Sequence, residues 1–132
     1  MYQNLILVGN LGKDPELRYT PDGSAVTNFS LATHRRFTDS SGERSEETTW
    51  FRVSVWGRTA ESCAEYLRKG SRVLVEGRLT PDPGTGSPRL WTRRNGSTAA
   101  SYDVTAHRVV FLSGRTERAT DEREAEVDAL PF

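Results

Sequence analysis

Aromatic and cationic residues stand side by side at several points of this sequence. Over residues 48 to 56, Phe51, Val53 and Val55 take one set of alternate positions, and Trp50, Arg52, Ser54 and Trp56 take the other. Successive side chains of a strand point to opposite faces, so the first set suits a core and the second leaves two indoles in water with a guanidinium between them. Large exposed aromatics forgo the burial that normally holds them in a core, and so call for a partner. A nucleobase is one such partner: stacking on an aromatic ring is worth roughly 1 to 3 kcal/mol per base and tolerates any base. Arg58, Lys69, and the trio Arg89, Arg93 and Arg94 around Trp91 add cations suited to phosphates. The competing expectation is that Trp50 or Trp56 covers a helix or an oligomer interface, that Trp91 packs in its loop, and that each arginine is a solvated surface group.

Other chemistries find less support. Asp39, Glu43, Glu46 and Glu47 resemble a metal-ligand set only by proximity, and they fall in an expected hairpin loop where charge means solvation. His34 and His107 share no motif with a base or nucleophile, and Gly9 to Lys13 lacks both the spacing of a phosphate-binding loop and its Ser or Thr after the Lys. The single cysteine, Cys63, closes no disulfide within the chain and builds no cysteine zinc cluster. It is expected as a small buried side chain, with a bridge between two copies as the alternative. The reading is a non-enzyme with no cofactor and no metal.

The elements that must position these residues are short and mostly extended. Leu5 to Val8 reads as a strand ending at Gly9, and Leu17 to Thr20 as an extension or bulge of it. Ala25 to Phe37 alternates with Phe29 and Leu31 inward, and parity alone sends Phe37 inward as well. Residues 48 to 56 form the third strand. Ala60, Cys63, Ala64 and Leu67 recur at helical spacing, with Gly70 as the expected C-cap. Val73 to Leu79 alternates with polar Arg72, Glu76 and Arg78 as a fourth strand, and residues 80 to 88 suit no regular element. Trp91 to Arg94, the Asn95-Gly96 turn and residues 99 to 112 complete a hairpin and a last strand. A helix between the third and fourth of five strands is the plan of the OB fold, a mainly β, five-stranded Greek-key barrel.

The chain has 132 residues, which suits one domain with a tail, and its formal charge is zero, with 18 Lys and Arg against 18 Asp and Glu. That zero is a cancellation. Residues 1 to 115 hold 16 Lys and Arg against 12 Asp and Glu, whereas residues 116 to 132 hold 2 against 6. A basic body with an acidic tail points to nucleic acid for the first part and another partner for the second. Hydrophobic periodicity ends near residue 112, so the expected organisation is a folded nucleic-acid-binding domain over 1–112 and an unfolded acidic tail over 113–132. No apolar run approaches the roughly 18 residues of a membrane span and the start lacks the features of a signal peptide, so a cytoplasmic protein is expected.

Several spaced motifs resemble one family closely. Leu7-Val8-Gly9-Asn10-Leu11-Gly12 with Asp14-Pro15-Glu16, Arg18-Tyr19, Phe29-Ser30-Leu31-Ala32-Thr33, Trp50-Phe51-Arg52-Val53, Glu65-Tyr66-Leu67-Arg68-Lys69-Gly70 and Val75-Glu76-Gly77 look like the bacterial single-stranded DNA-binding proteins. The resemblance covers residues 2 to about 112. It implies an OB-fold homotetramer that coats single-stranded DNA in replication, recombination and repair, with base-stacking aromatics at Phe37, Trp50, Trp56 and Trp91. For Phe37 it overrides parity. It also implies that the acidic tip, here Asp128 before Leu130-Pro131-Phe132, docks DNA-processing enzymes. Two departures, the missing long Gly-, Gln- or Pro-rich linker and Ala129 in place of an acidic residue, suggest a specialised second copy.

Overall fold

Alternating sequences bury one face only when their strands pair on both sides. The computed structural model describes residues 1–112, which form β1 (Leu5–Leu11), β2 (Glu16–Tyr19), β3 (Ala25–Thr38), β4 (Arg44–Trp56), α1 (Arg58–Tyr66), β5 (Arg72–Leu79), β6 (Leu90–Thr92), β7 (Thr98–Ala100) and β8 (Tyr102–Phe111). The acidic tail, with Asp128, Leu130, Pro131 and Phe132, lies outside the described residues. Five strands run in the order β1-β5-β8-β4-β3, and β1 meets β3 again through Asn10↔Ala32 and Leu11↔Leu31, which closes the barrel. The β4–β8 pair is parallel and the other pairs are antiparallel. A closed five-stranded barrel with its helix between the third and fourth barrel strands is the OB fold.

Inward positions of all five barrel strands meet in one cluster that includes Leu7, Phe29, Leu31, Val53, Val55, Val75 and Val104. Two glycines permit the closure. A Cβ on Gly9 would strike the Ala32 carbonyl, and one on Gly77 would strike the Thr105 carbonyl where the β5–β8 register slips between Glu76 and Gly77. The helix adds Cys63 and Leu67 to the core, and buried Thr27 on β3 donates from Oγ1 to the Ala60 carbonyl at 2.6 Å. That bond satisfies two groups otherwise cut off from water. Cys63 has no exposed surface, and burial pushes its thiol up to about 11. The expected buried side chain is therefore found, and a bridge between two folded copies has no route.

Several expectations on detail are corrected. The first strand continues to Leu11, because Gly9 serves the close approach to β3 rather than stopping the strand. Residues Glu16–Tyr19 pair with Ala25 to Asn28 instead of extending β1, since the turn at Thr20 to Gly23 folds them back as a hairpin. The C-cap of α1 is Leu67 in extended conformation; Gly70, at φ +90°, belongs to the following turn and donates its N–H to the Leu11 carbonyl at 2.8 Å. Arg72, read as a surface residue, is buried and donates to Asn10 Oδ1 at 3.1 Å. Glu46 and Glu47 lie in β4, not in a loop, opposite Arg36 and Arg35. Among the described residues no helix is long and apolar enough to cross a membrane.

Candidate nucleic-acid interface

The outward set of β4 stands where its alternation puts it. Trp50 is 53% exposed and Trp56 49%, while Val53 and Val55 between them are buried. Arg52 is exposed and, among the described residues, holds no ion pair. Beside it Ser54 donates from Oγ to Asn28 Oδ1 at 2.7 Å, so a polar strip continues onto β3.

A second element faces this strip. The strands β6 and β7 pair through Leu90↔Ala100, Trp91↔Ala99 and Thr92↔Thr98 around the Asn95-Gly96 turn. Trp91 is 42% exposed, and its indole Nε1 donates to Ser101 Oγ at 2.9 Å. The Arg93 guanidinium stands 5.7 Å from the Trp91 ring centroid, within cation–π range. Arg89 donates from Nε to Asp103 Oδ2 on β8 at 3.1 Å, which ties the small hairpin to the barrel.

Between the two elements runs an open groove of about 1000 Å³. Of the ten body residues singled out from sequence, Trp50, Arg52, Arg89, Trp91 and Arg93 line it, and Phe37, Trp56, Arg58, Lys69 and Arg94 do not. Lys13 adds a further cation, whereas Asp14 and Glu16 on the same wall reduce the net positive charge. Phe51 and Tyr102 also line the groove; sequence reasoning assigned Phe51 to the core and passed over Tyr102. Both rings occupy inward positions at the open mouth of the barrel, where an inward direction no longer means a core.

The remaining candidates are spread over the surface. Phe37 is half-buried beyond the barrel, on the part of the β3–β4 hairpin that overhangs it, with the Arg35 guanidinium 4.5 Å from its ring centroid. Parity sent this ring to the core, but the overhanging hairpin has no core to point into. Trp56 stands at the far end of β4, opposite Val26. Arg58 begins α1 and lines a separate depression with Thr59, Ser62, Val109, Val110 and Phe111. Lys69 follows the helix, with its backbone N–H on Asp14 Oδ1 at 2.8 Å, and Arg94 is exposed at the β6–β7 turn.

Sequence comparison joins this geometry to a known group. The model of the Single-strand binding protein family matches residues 2–112. The chain belongs to that family. Members of the Single-strand binding protein family are binding proteins and not enzymes. A Single-stranded DNA-binding protein from Wolinella succinogenes is 41% identical over 115 residues, covering 87% of this chain and 67% of that protein. One from Neisseria meningitidis serogroup B is 38% identical over 115 residues, covering 87% of this chain and 62% of that protein. This chain therefore spans about two thirds of the length of such relatives, or slightly less. Among solved structures, a Plasmodium falciparum SSB in complex with ssDNA is similar with a TM-score of 0.69 at 27% identity, over 85% of this chain and 96% of that one. A deletion mutant of the single-stranded DNA binding protein from Thermus aquaticus is similar with a TM-score of 0.66 at 34% identity, over 86% and 52% of the two chains.

Proposed function

We propose that this protein binds single-stranded DNA without reading its sequence. The observation that carries this reading is the open groove in which Trp50 and Trp91, on separate elements, stand exposed beside Arg52, Arg89 and Arg93. Aromatic rings accept any base, and guanidinium groups accept the phosphates common to all nucleotides, so the arrangement recognises the polymer rather than a sequence. A duplex keeps its bases stacked on one another and offers no free faces to indoles. Family membership and the similarity to an SSB in complex with ssDNA support the same ligand. Phe37, Trp56, Arg58, Lys69 and Arg94 extend the path beyond the groove, with the strand bending around the barrel to reach them.

In this reading, residues 1–112 form the strand-binding and oligomerising domain and residues 113–132 the docking tail. The protein acts as a homotetramer in the cytoplasm, at the nucleoid, during replication, recombination and repair. Asp128 and Leu130-Pro131-Phe132 in the tail recruit DNA-processing enzymes, an aromatic close to acidic side chains suiting an apolar pocket rimmed by basic groups. Ala129, and the lack of a long Gly-, Gln- or Pro-rich stretch between residue 112 and Asp128, favour a specialised second copy over the main replication protein. Full rescue of a strain lacking its main copy would contradict that last point.

Titration with poly(dT) while following tryptophan fluorescence, together with molar mass by light scattering, tests the proposal. Quenching in a particle of four chains is the expected result. Unchanged emission at saturating poly(dT) would remove the indoles from the site, and a particle of one chain would remove the tetramer.

A further inference from the structure

The tyrosine that opens β8 is not part of the core cluster. Tyr102 is 58% exposed, more than any of the three tryptophans, although its strand neighbours Val104 and Ala106 are buried. Its register partner on β4 is Phe51, whose ring centroid lies 5.6 Å away at an interplanar angle of 38°. Phe51 packs against the core and so gives Tyr102 a fixed backing. One side of the phenol is thus supported by the barrel while the ring as a whole lines the groove shared by Trp50 and Trp91.

The neighbouring residue fixes where this ring stands relative to the flap. Ser101, immediately before Tyr102, accepts the Trp91 indole N–H at 2.9 Å, and Asp103, immediately after it, holds Arg89 at 3.1 Å. Two groove-lining side chains of the small hairpin are therefore anchored on the residues that flank Tyr102. A base entering between Trp50 and Trp91 meets the phenol at the floor.

We propose that Tyr102 is a further base-stacking residue of this groove, backed by Phe51, and that the site takes an unpaired nucleobase between its floor and its indole walls. This rests on the reading of the groove as a single-strand site. The exposed phenol face supplies the same sequence-tolerant contact as an indole, with Phe51 limiting the ring freedom lost on binding.

Affinity for poly(dT) at fixed salt should be compared for the wild type, Tyr102→Phe, Tyr102→Leu, Tyr102→Ala and Trp50→Ala. Tyr102→Phe keeps the ring and should bind within about twofold of the wild type, whereas Tyr102→Leu keeps the apolar packing on Phe51 and should lose roughly 5- to 150-fold. If Tyr102→Ala proves poorly folded by its melting curve, the Phe and Leu variants decide alone. Equal binding by those two and the wild type, with a loss at Trp50→Ala, would overturn the role of Tyr102 and leave the groove's assignment standing. No loss at either position would overturn both.

Discussion

The indole of Trp50 occupies the space that a side chain at Gly12 would need. A Cβ built on Gly12 would lie 2.5 Å from Cζ3 of that ring and 2.7 Å from Cη2. The backbone just after β1 is therefore the backing of a β4 aromatic, and the absence of a side chain at residue 12 sets how the indole presents itself to the groove.

It follows that Gly12→Ala should weaken poly(dT) binding without unfolding the barrel. The ring end of an exposed Trp50 can move away from the new methyl, so the melting temperature should change little. The displaced indole should forfeit part of its stacking, up to the roughly 1 to 3 kcal/mol attributed to one base. Fluorescence titration alongside a thermal melt checks this; intact affinity would mean that the ring position is not critical.

Trp50 and Trp56 stand six residues apart on one strand, a separation of roughly 20 Å at strand rise, with different register partners on β3. Trp50→Ala and Trp56→Ala should each lose about 1 to 3 kcal/mol of poly(dT) affinity. Their effects in the double variant should add to within about 0.5 kcal/mol. A double-mutant cycle at constant salt measures this, and strong coupling would place both rings on one base or one rearrangement.

Two of the three groove arginines, Arg52 and Arg89, should separate by salt dependence. Arg52, free of ion pairs among the described residues, contributes charge to a phosphate, so Arg52→Ala should flatten the slope of log K against log salt by about 0.7 and leave the melt unchanged. Arg89 is already engaged by Asp103. Arg89→Ala should instead loosen the β6–β7 hairpin, lowering stability by about 1 kcal/mol together with affinity. Identical salt slopes for wild type and Arg52→Ala would remove Arg52 from the phosphate path.

The interface was partly legible because β4 states its two faces in alternate letters, and both tryptophans are exposed as that alternation requires. Where a strand outruns the barrel or reaches its mouth, the code loses its meaning: Phe37 and Tyr102 occupy inward positions and yet stand outside the core cluster. Helix ending was misread at Gly70 because positive φ is needed there by a turn, three residues beyond the actual C-cap Leu67. Alternation puts Arg72 with Glu76 and Arg78 on the polar face of its strand; it is buried, and its bond to Asn10 of another strand is a contact no local pattern encodes. The meeting of Gly12 with Trp50 is hidden for the same reason.

Cys63 should resist thiol reagents in the folded protein. It is fully buried, and burial lifts its thiol from the ordinary 9.0 to about 11, so little thiolate exists at pH 8. Ellman's reagent should react only after denaturant is added. The folded state holds this proton more tightly than the unfolded chain does. The contribution is thus intact below pH 9.0 and stability should fall as pH rises from there towards about 11. Rapid labelling of native protein at pH 8 would contradict the burial.

Asp39 staples the tip of the β3–β4 hairpin. Its Oδ1 accepts the Ser41 hydroxyl at 2.6 Å and the Ser41 and Glu43 amides at 3.0 Å each, and the Ser41 hydroxyl and these other donors hold its carboxyl below the ordinary 3.8. The staple is present above pH 3.8 and is lost as pH falls through the lowered value. Asp39→Ala should speed amide exchange at Ser41 and Glu43 at neutral pH, and wild-type exchange should approach it in acid. Unchanged protection would show that the turn backbone holds itself.

Among the described residues the small β6–β7 hairpin pairs with itself and reaches the barrel through Arg89 and the Trp91–Ser101 bond, so the channel it borders is an open trough. A polymer enters such a trough sideways along its contour and has no need to thread from a terminus. On the proposed reading, covalently closed circles of single-stranded DNA should be admitted on the same terms as linear fragments, and release should be able to begin at any internal nucleotide.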